Sequence, residues 1–162
     1  MNDDLTFRET LNPPDTEHVR AIVQSTGFFS PAEVEIAVEL AIERLVKGLD
    51  SGYHFLFAEQ NNRVVGYSCF GPIPGAQASI DLYWIAVHND FRGAGIGKKL
   101  MVESERAIKR MGGRRIYVET SSRAQYQPTR AFYLACGYKQ EALLEDFYAP
   151  GDSKVIYVKV IN

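Results

Sequence analysis

The run from Ile80 to Met101 constrains the chain most. A strand-like segment, Ile80 to Val87, passes through four residues, His88-Asn89-Asp90-Phe91, into Arg92-Gly93-Ala94-Gly95-Ile96-Gly97 and then an amphipathic helix. Three glycines at alternate positions ahead of a helix let consecutive backbone N–H groups close around anion oxygens, and the positive end of the helix adds to that attraction. Arg92 can add a forked cationic grip.

Spacing separates the known phosphate loops. A Walker loop needs a glycine five positions before its Gly-Lys pair and a Ser or Thr after it; here Arg92 and Lys99 hold those places. The dinucleotide fingerprint fits Gly93 and Gly95 but meets Lys98 where its third glycine belongs, and it follows its strand directly, with no four-residue connection. A strand ending in Ala86-Val87, a polar connection and Arg92-x-x-Gly95-x-Gly97 opening a helix resembles instead the acetyl-coenzyme A signature of the GCN5-related N-acetyltransferase (GNAT) family. Further along, Ala131-Phe132-Tyr133, three residues and Gly137-Tyr138 are similar to that family's Phe-Tyr-x-x-x-Gly-Phe motif beside coenzyme A. Many members carry an asparagine where this chain has Tyr126. A glycine-rich turn without a ligand is the bland alternative to the first motif; two motifs in order weaken it.

The surrounding sequence is that of a soluble globular chain. At 162 residues, 46% hydrophobic and 23% charged, it is sized for one domain spanning 1–162. No apolar run approaches the roughly 20 residues that span a bilayer. The acidic start, Met1-Asn2-Asp3-Asp4, lacks a signal peptide's basic and apolar regions, so a cytoplasmic protein is expected. Cys69 and Cys136 form no metal-ligand pattern and read as buried free thiols, and His18, His54 and His88 belong to no metal motif; no metal is expected. A net charge of −2 argues against a nucleic-acid binder, but its distribution is uneven. Residues 1–91 hold 5 Lys/Arg against 13 Asp/Glu, and residues 92–130 hold 10 against 3. A small polyanion at the glycine loop and a cationic acceptor elsewhere would fit that asymmetry, although solvated helix surface accounts for much of it.

In chain order, Leu5 to Glu9 reads as a strand, and Asp15 can cap a helix over Thr16 to Gln24. Ser30-Pro31-Ala32-Glu33 is a capping box with proline at the first helical position. The helix it opens, to about Lys47, is expected to bury Val34, Val38, Ala41, Ile42 and Leu45. Phe28 and Phe29 are either walls of an acceptor pocket or hydrophobic staples. Strands Tyr53 to Glu59 and Val64 to Phe70 join at Asn61-Asn62 as a hairpin, and Ala78 to Val87 follows without a helix, so this part is antiparallel. After the loop, Leu100, Ser104, Ala107, Ile108 and Met111 recur at helical spacing. The strand Arg115 to Thr120 then makes a parallel crossover, a short helix covers Pro128 to Cys136, and strands Tyr138 to Tyr148 and Val155 to Ile161 close the chain.

The fold class implied is α/β (α+β): a mixed, mostly antiparallel central sheet with a splayed parallel pair and flanking helices. The resemblance implies transfer of an acetyl group from acetyl-CoA to a primary amine by direct attack in a ternary complex. It places the pantetheine arm along Ile85, Ala86 and Val87, with the Val87 N–H on the thioester carbonyl, and the pyrophosphate on Arg92, Gly93, Ala94, Gly95, Ile96, Gly97 and Lys98. Tyr133 falls at the family's acid position beside the cofactor; a core aromatic is its plain alternative. A phenol of pKa near 10 can protonate a thiolate whose conjugate acid is near 8.5. Asp81, six before Val87 where some members carry a glutamate, and Glu119 are candidate bases, and each could equally be structural. Arg123 and Arg130 could reach the ribose phosphate or be free surface charge. The acceptor expected is a small amine or amino acid, with a peptide N-terminus or lysine behind it, and a homodimer through the C-terminal strands is compatible. A non-catalytic coenzyme A-binding module on the same fold is the alternative function.

Overall fold

A computed structural model describes residues 4–162; the start of the chain at Met1–Asp3 lies outside the described residues. The strands are β1 (Leu5–Arg8), β2 (His54–Gln60), β3 (Arg63–Pro72), β4 (Ser79–Val87), β5 (Arg115–Ser121), β6 (Lys139–Ala149) and β7 (Asp152–Val160). The helices are α1 (Asp15–Ser25), α2 (Pro31–Lys47), α3 (Ile96–Arg110) and α4 (Gln127–Ala135). The strands hydrogen-bond in the order β1-β2-β3-β4-β5-β7-β6, and β4 with β5 is the parallel pair. This is the mixed, mostly antiparallel sheet with flanking helices that the sequence implies. No helix among the described residues is long and apolar enough to cross a membrane.

The residues gather into two compact units. One comprises the chain up to Gly71 with Trp84–Ala107, the other Pro72–Tyr83 with Ile108–Asn162. In the first, Phe55, Phe57 and Tyr67 stack across β2 and β3 with ring centres 5.9 to 6.3 Å apart. Val19, Ile22 and Val23 of α1 and Val34, Ala37, Val38 and Ala41 of α2 belong to the same buried core. The capping box at Ser30 is present, with both reciprocal bonds to Glu33. The hairpin at Asn61-Asn62 takes positive φ at both residues, 51° and 62°, as a two-residue turn matching the strand twist requires.

Three expectations are corrected here. Asp15 does not cap α1: Pro14 holds the cap position, and Asp15 lies inside the helix, 1% exposed, where its carboxylate accepts a forked pair of bonds from Arg8 at 2.7 and 3.0 Å. On α2, Ile42 and Leu45 are exposed and Ala37 takes the buried place. Helical spacing admits either edge of the stripe, and the packed edge is the one whose small Ala37 and Ala41 let the helix approach. Met111 lies past the end of α3 and is exposed, while Ile96 and Met101 join Leu100, Ser104, Ala107 and Ile108 in burial.

In the second unit the parallel pairing joins Ser79, Ile80 and Asp81 to Arg115, Ile116 and Tyr117 and stops there, although Leu82 and Tyr83 continue β4. β5 pairs with β7 along its whole length, and β7 with β6 in a hairpin whose register shifts between Leu144 and Ala149. The turn after α3 is tight. A Cβ on Gly113 would stand 2.5 Å from Ile108 Cγ2 and 2.7 Å from Ile80 Cγ1. Gly113→Ala therefore overpacks a backbone-fixed corner and is expected to cost roughly 1–3 kcal/mol, read as a lowered midpoint in urea unfolding with m unchanged.

Candidate active site

The first unit carries the glycine loop. β4 ends in the half-buried residues Trp84, Ile85, Ala86 and Val87, and Trp84 and Ala86 pack on the core while Phe29 sets its ring edge-on to Trp84 at 5.0 Å. Phe29 is therefore a packing residue. The chain leaves the sheet at His88, whose N–H donates to Val65 O at 2.8 Å, and makes one 3-10 turn, Asn89–Phe91, tied down by Ser25 Oγ accepting from the Asn89 N–H at 3.0 Å. Gly66 allows the close approach beneath: a Cβ there would meet Ala86 O at 3.0 Å and Leu100 at 3.5 Å.

Gly93 and Gly95 take φ of +84° and +78°, and a Cβ on either would meet nothing within 4 Å. Glycine is thus favoured there by the backbone conformation, not by the protein's own packing, and the space beside the loop is open. The first internal bond of α3 is Lys99 N–H to Gly95 O at 3.2 Å, so the amides of Ile96, Gly97 and Lys98 are those that a helix start leaves without an intrahelical partner. Buried Ile96 fixes the start of the helix, and exposed Arg92 and Lys98 flank it, making no ion pair among the described residues. Left-handed glycines, orphan amides and two uncommitted cations fit a pyrophosphate.

The second unit holds the three acid–base candidates. Tyr133, in α4, is 8% exposed, with its ring 5.8 to 6.1 Å from those of Phe132, Tyr138 and Tyr157. Burial pushes its phenol above the ordinary value of 10. Gly137, at φ +91°, ends α4 as expected, and Tyr138 N–H returns to Tyr133 O at 3.0 Å. Asp81 and Glu119 share one electrostatic environment. Burial raises the Asp81 carboxyl most, Glu119 raises it further, and Lys154 lowers it. Glu119 is 2.9 Å from Lys154 Nζ.

Sequence reading missed Lys154, since only the β5–β7 register, with Ser121 opposite Lys154 and Glu119 opposite Ile156, puts it beside Glu119. It also left Arg123 and Arg130 as free charges or ribose contacts. Both have work inside the protein: Arg130 Nη1 donates to the carbonyls of Ser121 at 2.7 Å and Arg123 at 2.9 Å, and Arg123 Nε lies 3.3 Å from Asp152, whose carboxylate also accepts from Ser121 Oγ. Arg130 thereby serves as a brace for the turn between β5 and α4.

No curated protein matches the chain. Among solved structures, it is 42% identical to a protein from Desulfovibrio desulfuricans assigned to the GNAT family of acetyltransferases, over 98% of this chain and 99% of that one, with a TM-score of 0.96. Two others are similar in fold alone. YncA of Salmonella typhimurium, solved with acetyl-CoA, is 16% identical over 99% and 95% of the two chains, TM-score 0.75; the ribosomal-protein-alanine N-acetyltransferase of Brucella melitensis is 20% identical over 96% and 99%, TM-score 0.76. The acetyltransferase (GNAT) domain family matches residues 51–140, a stretch that runs from β2 through the glycine loop to α4. With its signature loop, its mixed sheet and that match over more than half its length, the chain belongs to the GNAT acetyltransferase family.

Proposed function

We propose that the protein is a cytoplasmic N-acetyltransferase that moves the acetyl group of acetyl-CoA to a primary amine, a small amine or amino acid, by direct attack in a ternary complex. The observation that carries this is the glycine pair at φ +84° and +78° ahead of the amides of Ile96, Gly97 and Lys98, which the start of α3 leaves without an intrahelical partner. YncA, with acetyl-CoA bound, and an alanine N-acetyltransferase on the same fold support the cosubstrate and the amine.

In this reading the amine nitrogen attacks the thioester carbonyl; a C–N bond forms, the C–S bond breaks with its electron pair on sulfur, nitrogen loses one proton and sulfur gains one. Arg92 through Lys98 hold the pyrophosphate, and the edge of Ile85–Val87 holds the pantetheine arm, with the Val87 N–H polarising the carbonyl. Tyr133 gives sulfur its proton. Asp81 takes the proton from the amine, directly or through water: a carboxyl raised by burial and by Glu119 is a stronger base than an ordinary one. Glu119, engaged by Lys154, is the second candidate.

Acetyl-CoA titration by calorimetry and free-thiol release across amino acids, amines and peptides test the reading. Gly95→Ala places a methyl in the loop's open space at a strained φ and is expected to weaken acetyl-CoA binding about 10-fold or more, against roughly 1–2 kcal/mol of conformational strain in the fold itself. Unchanged affinity in this variant removes the loop from the binding site. Tight cofactor binding with no thiol release on any acceptor removes the catalytic reading.

A further inference from the structure

The β6–β7 hairpin carries two exposed aromatic rings and a lysine that is ion-paired to Glu119 of β5, in an arrangement that packing does not explain. Lys154 Nζ sits 2.9 Å from the Glu119 carboxylate and 3.7 Å above the centre of the Phe147 ring, with the Tyr148 ring at 6.0 Å. The lysine side chain is 13% exposed, yet Phe147 and Tyr148 are 53% and 47% exposed, edge to face at 5.1 Å. Large rings placed half in water contribute little to the core. Tyr148 lies close enough to Glu119 and Asp152 for burial first, and then those carboxylates, to raise its phenol; Asp81 senses both Glu119 and Lys154. One small region thus assembles an ammonium, carboxylates on β4 and β5, and a wettable aromatic wall.

That set is the complement of a zwitterion with an apolar side chain. Each member of the internal pair can exchange its partner for the ligand's opposite charge, so no charge is stranded as the site closes. The ligand's side chain then covers ring surface that is otherwise wet. We infer that Lys154, Glu119, Phe147 and Tyr148 form the acceptor subsite and take a free α-amino acid with an apolar or aromatic side chain, its carboxylate on Lys154 and its amino group facing Glu119 and Asp81. This deepens the acetyl-transfer reading and rests on it. A simple amine leaves Lys154 without an incoming anion, a peptide N-terminus carries an amide where the carboxylate should be, and a polyamine brings a second cation against Lys154.

The test is saturation-transfer NMR on the full chain in the presence of coenzyme A, with L-phenylalanine, L-phenylalaninamide and 2-phenylethylamine as probes. This binding readout does not depend on acetyl transfer, so failure of the subsite and failure of the catalytic reading are told apart. Wild type is expected to bind L-phenylalanine at least 10-fold more tightly than the amide or the amine. Lys154→Met should lower phenylalanine affinity roughly 10- to 100-fold, to the level of the amine, and leave the amine within about threefold, while Lys154→Arg keeps most of the preference. Should Lys154→Met fail to fold, Phe147→Ala replaces it, with L-phenylalanine losing affinity and L-alanine keeping it. Equal binding of all three probes by wild type, or a Lys154 substitution that weakens amine and amino acid alike or neither, overturns the assignment.

Discussion

Tyr133→Phe should lower kcat by about 10²- to 10⁴-fold, the range for removal of a general acid, with acetyl-CoA affinity held within about twofold. The substitution is well matched to the question. The ring of Tyr133 is packed among Phe132, Tyr138 and Tyr157, and phenylalanine keeps every one of those contacts, so a rate loss cannot be charged to a collapsed core. The pH dependence sharpens it. Burial lifts the phenol above 10, so Tyr133 carries its proton throughout the neutral and mildly alkaline range, and an alkaline fall in rate below pH 10 should come from some other group. For a general acid at this position, the same lift makes proton donation harder than from a free phenol, so transfer would come only as negative charge builds on the sulfur. Thiol-release kinetics paired with a thermal scan decide the matter: an unchanged kcat in a folded variant makes Tyr133 a core aromatic and nothing more.

Asp15→Ala is expected to cost roughly 3 kcal/mol, because removing one partner of a buried pair leaves the remaining groups short of theirs. Asp15 accepts from Arg8 at 2.7 and 3.0 Å, from the Asn12 N–H at 2.7 Å and faces His18 Nδ1 at 3.0 Å. Arg8 retains Glu59 at 2.8 Å, which keeps the loss below the upper end for such pairs. For a chain of this size the midpoint of thermal unfolding should fall by roughly 6–12 °C. The sign of the pH dependence follows from the direction of the shift. Burial raises the Asp15 carboxyl, but the bonds from Arg8, Asn12 and His18 outweigh it and set the folded value below the ordinary 3.8. Its stabilisation is therefore complete above 3.8 and is lost as pH falls through the lower, folded value. Wild type and variant should converge in stability in strong acid and stand furthest apart near neutrality; a gap independent of pH would mean that Asp15 acts by packing and not by charge.

Local signals in the sequence proved sufficient where the physics is local. The capping box at Ser30, the paired asparagines of the β2–β3 turn and the glycine stop at Gly137 each specify a backbone conformation within a few residues, and each is found in place. The glycine loop is legible for the same reason, since Gly93 and Gly95 take their positive φ angles locally. What periodicity could not decide was which edge of a stripe packs: Ile42 and Leu45 satisfy helical spacing on α2 as well as Ala37 does, and only the neighbouring layer selects among them. Asp15 stands where a cap is expected because Asp favours that position; its partner Arg8 lies seven residues upstream on a strand, a pairing no helix rule contains. Lys154 was invisible because it faces Glu119 only through the β5–β7 register, and Arg130 because its acceptors are carbonyls, which sequence does not display.

The two cysteines bear on how these kinetics are read. Cys69 is buried, and burial raises its thiol, so it stays protonated and closed to alkylating or disulfide reagents while the fold holds. Cys136, expected to be buried as well, is instead partly exposed because it falls at the end of α4, where its carbonyl accepts from Lys159 Nζ at 2.8 Å. A chromogenic thiol reagent should therefore register coenzyme A release over a fixed background of no more than one protein thiol. A fluorophore or spin label on that same sulfur would sit three residues from Tyr133 and report the order of the helix that carries it.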